Sequence, residues 1–261
     1  CQGFSTAGKR NLDDARNQLF REYVRLLRGL QPRVFVMENV SGMVKGKMKL
    51  VFAEVMRELK ASGYKVSARL MNAMYFNVPQ SRERLIFVGV REDLGIEPSH
   101  PRAESGPIAA QDAIPGLMAT RSQRINPWID ALQSAATICK MSEGYQALSS
   151  PSDLEEAGIR PQWQMARVLR GLEPHKHFGL VRLMPDKPSP TIQKDAGNTT
   201  TGLCHPLEIR RLTIPEIKRL ASFPDAMEMV GDFKAKWARI GNSVPPLFMR
   251  AIARHLREHI L

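Results

Sequence analysis

Apolar and polar positions first fall into helical spacing near the start of the chain. Asp13 or Asp14 can cap a helix, and Leu19, Tyr23, Leu26, Leu27 and Leu30 then recur three and four apart, which predicts a helix to about Leu30. Val34-Phe35-Val36-Met37 is a short unbroken apolar run, as suits a strand buried on both faces of a parallel sheet, and it stops at Glu38-Asn39-Val40-Ser41-Gly42. A second helix is predicted over about 50–62, ended by Gly63 as a C′ residue. Residues 65–71 and 84–90 read as strands. Strand, helix, strand alternation predicts an α/β fold with a largely parallel sheet. Between about 97 and 204 the rhythm is lost to Pro, Ser, Gly and Thr, with short helical pieces expected near 129–141 and 161–172. Regularity returns at Leu212. Thr213 with Glu216 is a capping-box pattern, and Pro215 suits a first turn, so a helix is expected to about Ser222. A last helix follows Pro245-Pro246, with Leu247, Ile252 and Leu256 on one side.

Charge and composition narrow the classes. The 261 residues carry 38 Lys+Arg against 26 Asp+Glu, a net +12, which points to a polyanionic partner, most often nucleic acid. Residues 1–96 hold 17 basic and 9 acidic side chains, 97–204 hold 11 of each, and 205–261 hold 10 and 6. The surplus therefore lies in the two ends, as in a composite domain interrupted by an insert. No apolar run approaches the ~20 residues of a membrane span. Three Cys, widely spaced, fit neither a disulfide scaffold nor a CxxC zinc site, and the chain reads as reduced, intracellular and cytoplasmic. Cys1 stands where an initiator Met would be, and no signal-peptide pattern follows, which implies removal of something upstream or a fragment.

Four places could carry chemistry. Glu38 follows a buried-type strand, the position where open α/β sheets bind ligands, and a desolvated carboxylate there suits proton donation; the alternative is an exposed loop residue. Arg82 and Arg84 alternate at period two before the 84–90 strand, so both guanidinium groups face one way and can bind phosphate or a carbonyl-rich base edge; the alternative is a solvated strand end. Cys1 lies in a Gly- and cation-bearing loop that favours a thiolate nucleophile, or is incidental. Asn242, in Gly241–Pro246, can hydrogen-bond a ligand, or simply belongs to a helix start.

In order, CQGFS, ENV (38–40), QSRER (80–84), RRLTIPE…RLASFPD (210–225) and GNSVPP (241–246) resemble the blocks of the cytosine-5 DNA methyltransferase family. The resemblance implies a partial Rossmann-like methyltransferase domain with an inserted, irregular target-recognition domain. The catalytic domain takes 1–96 and 205–261, and the insert takes 97–204. It implies that Cys1 attacks C6 of a cytosine flipped out of duplex DNA, and that Glu38 holds the base's N3 and amino edge. Arg84 is implied to reach O2 while Arg82 braces the site. Asn242 and Val244 are implied cofactor contacts for S-adenosylmethionine. Gln2, Ser5, Lys9 and Arg10 match the mobile loop that closes on DNA, its cations contacting phosphates. The protein would be a prokaryotic modification enzyme, associated with the nucleoid.

The match has gaps. The family's strand ending in F-x-G-x-G, its acidic ribose contact and the strand leading into Pro-Cys do not appear, so the cofactor site is incomplete in this chain. The expectation is a truncated enzyme, or one subunit of a split enzyme whose partner carries the N-terminal half. Asn77 stands where the family more often has Gly before Val-Pro-Gln, and Asn tolerates the same left-handed backbone. The rival readings are an inactive DNA-binding relic and an RNA-directed member of the family. Phe4-Ser5, where the RNA-directed loop more often has Phe-Thr, argues against the latter.

Overall fold

The computed structural model describes residues 19–114, 139–141, 144–145, 180–194, 202–205 and 212–261. In chain order the elements are α1 (Leu19–Leu30), β1 (Val34–Val40), α2 (Lys49–Lys60), β2 (Tyr64–Asn72), β3 (Glu83–Arg91), α3 (Ala110–Ala113), β4 (Cys139–Met141), β5 (Gly144–Tyr145), β6 (Leu180–Arg182), β7 (Gly202–Cys204), α4 (Ile214–Leu220), α5 (Phe233–Asn242) and α6 (Pro246–His259). They divide into two units. One holds 19–76, 82–104 and 248–261, and so draws on both ends of the chain; the other holds 77–81 and the described parts of 105–247.

In the first unit the strands lie in the order β1-β3-β2, and both pairings are antiparallel. The largely parallel sheet expected from the sequence is therefore not what these strands form. β1 and β2 do run the same way, joined through α2 as strand-helix-strand alternation requires, but β3 lies between them. The cause is the connection from β2 to β3. It spans only 73–82 and includes a single 3-10 turn, Ala73–Tyr75, whereas a parallel crossover needs a dozen or more residues. A second correction concerns Glu38. Its strand continues to Val40, with Glu38 opposite Ile86, Asn39 opposite Leu85 and Val40 opposite Arg84. Glu38 thus sits within the strand rather than after it, because backbone pairing with β3 carries the polar residues onward.

One sheet face is the core. Phe35, Val66, Leu85 and Phe87 pack with Val24 and Leu27 of α1 and Val55 and Leu59 of α2. Phe35 stands edge-on to Tyr23 and Tyr64, with ring centroids 5.9 and 5.2 Å away. Both phenols donate to backbone carbonyls, Tyr23 to Val36 and Tyr64 to Pro32. Burial, with the neighbouring Tyr64 second, pushes the Tyr23 hydroxyl up to about 12, so it stays a neutral donor. The other face carries Glu38, Arg84 and the fully buried Ile86 and Val88. Residues 99–104 tie β2 to α6: His100 Nε2 lies 3.2 Å from Ser67 Oγ, Ser99 Oγ lies 2.8 Å from His255 Nε2, and Arg254 pairs with Glu104. Helix α2 stops at Lys60 with Ala61 as its C-cap, two residues before the expected end, and Gly63, at φ +87°, turns the chain into β2.

In the second unit a four-stranded sheet runs β5-β4-β6-β7, parallel between β4, β6 and β7 and antiparallel between β4 and β5. The helical piece expected near 129–141 ends differently, since 139–141 is a strand; a short apolar run does not distinguish the two by periodicity. Residues 129–138 and 161–172 lie outside the described residues. The core gathers Leu183, Ile192, Leu212, Ile217, Leu220, Trp237 and Ile240. Helix α4 begins on the anticipated capping box: Glu216 N donates to Thr213 Oγ1, and Thr213 N donates to Glu216 Oε2. Helix α5 had not been anticipated. Its signals are Asp232, whose carboxylate accepts from Ala235 N at 2.7 Å, and Phe233, Trp237 and Ile240 at helical spacing.

Candidate active site

Glu38 and Arg84 belong to neighbouring strands and project from the same sheet face. Glu38 faces Ile86, and Arg84 is the diagonal neighbour two residues along β3. Arg84 Nε approaches Glu38 Oε1 to 2.6 Å. The contact is an ion pair by proximity, because the Nε–H is not aligned on the oxygen; Arg84 Nη1 donates to the Glu83 carbonyl at 2.7 Å. Both side chains are largely shielded, at 11% and 25% exposure, so the attraction is less screened than at a surface. Burial lowers the Arg84 guanidinium's affinity for its proton, and Glu38 opposes that shift.

Arg82 lies just before β3 and is 2% exposed. Burial, and after it the charge of Arg84, pushes it down to about 9, with Glu38 again acting the other way. Two guanidinium groups coupled electrostatically to one carboxylate give the site a net positive charge. Arg84 brings a planar donor fork and Glu38 an acceptor to one sheet face. Such a set can hold a flat heterocycle that presents both acceptors and donors along its edge.

The remaining residue of that block has a different task. Gln80 is buried in the second unit, where its Oε1 accepts from Ile192 N at 3.2 Å and its Nε2 donates to the Leu220 carbonyl at 3.4 Å. Ser81 N donates to Ser189 O, and Ser189 N donates to Pro79 O. Asn77 takes φ +59°, the left-handed backbone that its side chain tolerates, and its N–H donates to Ser105 Oγ. The block of QSRER thus divides into a structural anchor, Gln80, and two arginines, of which Arg84 meets Glu38.

The charged residues described within 212–225 also turn out to be structural. Arg219 forks onto Asp225, and Lys218 Nζ donates to the carbonyls of Asp225 and Met227. His205 Nε2 stands 3.7 Å from the fully buried Glu216. Asn242 is the exposed last residue of α5 and Val244 is half-buried in the short link to α6, so Asn242 ends one helix rather than introducing the next. Gly241 beside it is obligatory: a Cβ there would lie 2.6 Å from the backbone of Gln193 and Lys194. Cys1, Gln2, Ser5, Lys9 and Arg10 lie outside the described residues. Asn72, at the end of β2, was not singled out from the sequence. It accepts from the Arg82 N–H at 2.9 Å, and its signal was an Asn at a strand end before a turn. Among the described residues no cluster of His, Cys, Asp or Glu could hold a metal ion, and no helix is long and apolar enough to cross a membrane.

Comparison with known proteins bears on this geometry. The family model described as C-5 cytosine-specific DNA methylase matches residues 1–258. The Type II methyltransferase M1.HphI of Haemophilus parahaemolyticus is 35% identical over 263 residues, covering 97% of this chain and 65% of that protein. The Type II methyltransferase M.XorII of Xanthomonas oryzae pv. oryzae is 32% identical over 289 residues, covering 99% and 66%. The chain thus spans about two thirds of the length of these relatives. Among solved structures, the Entamoeba histolytica methyltransferase EhMeth superposes with a TM-score of 0.59 at 15% identity, covering 99% of this chain and 75% of that one.

Proposed function

Because the chain belongs to the C-5 cytosine-specific DNA methylase family, we propose that it provides the base-handling part of a DNA (cytosine-5)-methyltransferase. The observation that carries this is the Glu38–Arg84 pair at 2.6 Å, with the buried Arg82 two residues before Arg84 in the chain and electrostatically coupled to both. A cytosine turned out of the duplex presents N3 and the 4-amino group on one edge and O2 next to them. With Oε1 engaged by Arg84, Glu38 Oε2 accepts from the 4-amino group and from N3 once N3 has taken up a proton, and the arginine pair neutralises charge that builds at O2. Cys1 adds to C6 as the thiolate, which makes C5 electron-rich. C5 takes the methyl group, its proton passes to water, and the C5–H electron pair re-forms the C5–C6 double bond as Cys1 departs as the thiolate. When bound, S-adenosylmethionine supplies that methyl group. The exposed amide of Asn242 and the neighbouring Val244 fit as contacts to its polar and apolar parts. Gln2, Ser5, Lys9 and Arg10 close on the DNA, and 97–204 selects the site.

The test is covalent trapping on duplex DNA containing 5-fluorocytosine, with S-adenosylmethionine present and an N-terminal half added in trans where required. The wild-type protein is expected to give a stable adduct. Cys1→Ser should give none while still binding DNA, and Glu38→Gln should slow methyl transfer by about 100-fold. Full turnover by Cys1→Ser would overturn the assignment, and an adduct-free wild type would leave the inactive relic as the better reading.

A further inference from the structure

The pairing of β2 with β3 ends at Asn72 opposite Glu83. Beyond it the chain leaves the sheet in the 3-10 turn Ala73–Tyr75, and Arg82 lies one step outside the ladder. A buried backbone N–H there needs another acceptor. Asn72 Oδ1 provides it, accepting from Arg82 N at 2.9 Å and from Met74 N at 3.2 Å. On the other side, Ala73 N donates to the Arg82 carbonyl at 3.0 Å. The two lone pairs of one side-chain carbonyl thus cap the turn and extend the sheet by one residue. The residue so held has a buried side chain that feels the charge of Arg84, and Arg84 follows two positions along the same backbone.

From this geometry we infer that Asn72 is a positioning residue for the arginine pair, setting where Arg82 and Arg84 stand against Glu38. The inference rests on the methyltransferase reading of that site. Arg82, shut away from water, has little room to recover its place if the backbone at 82 loosens. A displacement of about 1 Å in a site group costs on the order of 100-fold in rate. Asn72 touches no reacting atom in this scheme. Its loss should lower kcat and spare duplex binding.

Asn72→Ala removes the acceptor, and Asn72→Asp keeps it. In the whole protein, with any N-terminal half present, Asn72→Ala is expected to lower kcat by roughly 10- to 100-fold with KM for duplex DNA within about twofold. Asn72→Asp is expected to recover most of the loss. Amide hydrogen exchange gives a readout independent of turnover. The Arg82 amide should exchange at least about tenfold faster in Asn72→Ala, while Ile86 and Val88 in mid-strand stay at wild-type rates. Unchanged protection of the Arg82 amide, unchanged kcat, or equal damage by Ala and Asp would overturn the inference. A wild type without methyl transfer would instead sink the methyltransferase reading, and the exchange data would still decide whether Asn72 holds Arg82.

Discussion

At Gly89 and Gly241 the absence of a side chain is itself structural, for two different reasons. A Cβ on Gly89 would stand 1.9 Å from Phe35 Cε1, so the ring occupies the volume that the glycine vacates across the β1–β3 ladder. Phe35 is held in turn by Tyr23 and Tyr64 and has no open space to enter. Gly89→Ala should destabilise the protein by about 1–3 kcal/mol through overpacking. Because the obstacle is a side chain, Phe35→Leu in that background should recover part of the loss, a coupling that a double-mutant cycle measures. At Gly241 the obstacle is the backbone of Gln193 and Lys194, with atoms 2.6 to 2.7 Å from the new Cβ. Trp237, one turn earlier, fixes the same strand of chain by donating its indole N–H to the Gln193 carbonyl. Gly241→Ala should therefore cost more than Gly89→Ala and have no truncation that rescues it. Urea midpoints of the wild type, the two single glycine variants, Phe35→Leu and the double variant read these costs. Equal tolerance at the two sites would contradict the packing described.

Helix α4 gives the corresponding case for an element. Seven residues long, it has few internal hydrogen bonds, so its first turn depends on Thr213 and on the buried Glu216 that answers it. Thr213→Ala should lower stability by about 1 kcal/mol and Thr213→Ser should restore most of it, read from thermal unfolding; a silent Thr213→Ala would mean that packing alone holds the helix. This element was legible in the sequence because a capping box and a Pro in the first turn are local chemistry. So were α2, apart from an end that comes two residues early, and the left-handed Asn77. Pairing direction was not legible. The alternation 34–40, 49–60, 64–72 correctly orients β1 parallel to β2, but that β3 inserts between them is decided by a connection length and by distant packing. The extent of β1 was missed because its last residues are polar and the ladder does not depend on apolarity. Helix α5 was missed although Asp232 and its apolar spacing were present. For the candidate site, Glu38, Arg82 and Arg84 were read from the sequence, whereas the Glu38–Arg84 contact needs the register of two strands far apart in the chain. Asn72 needed it too, since its partner is ten positions away across a turn.

For the molecule as a whole, the distribution of charge matters more than its total. The net +12 lies as +8 on 1–96, zero on 97–204 and +4 on 205–261. Phosphate attraction is independent of sequence and scales with cations placed along the backbone, while base selection requires directional donors and acceptors in the grooves. A protein that divides the two tasks between segments should show the division in its salt dependence. Each phosphate neutralised contributes about −0.9 to the slope of log K against log salt on duplex DNA. Lys9→Gln with Arg10→Gln should flatten that slope by up to about two, and should weaken binding to specific and unrelated duplexes alike. Neutral polar substitutions within 97–204 should leave the slope in place and narrow the difference between the two duplexes. The measurement is binding of a cognate and a scrambled duplex over a salt series. A slope that follows changes in 97–204, and ignores Lys9 and Arg10, would show that the neutral segment holds the backbone and that the basic ends serve another partner.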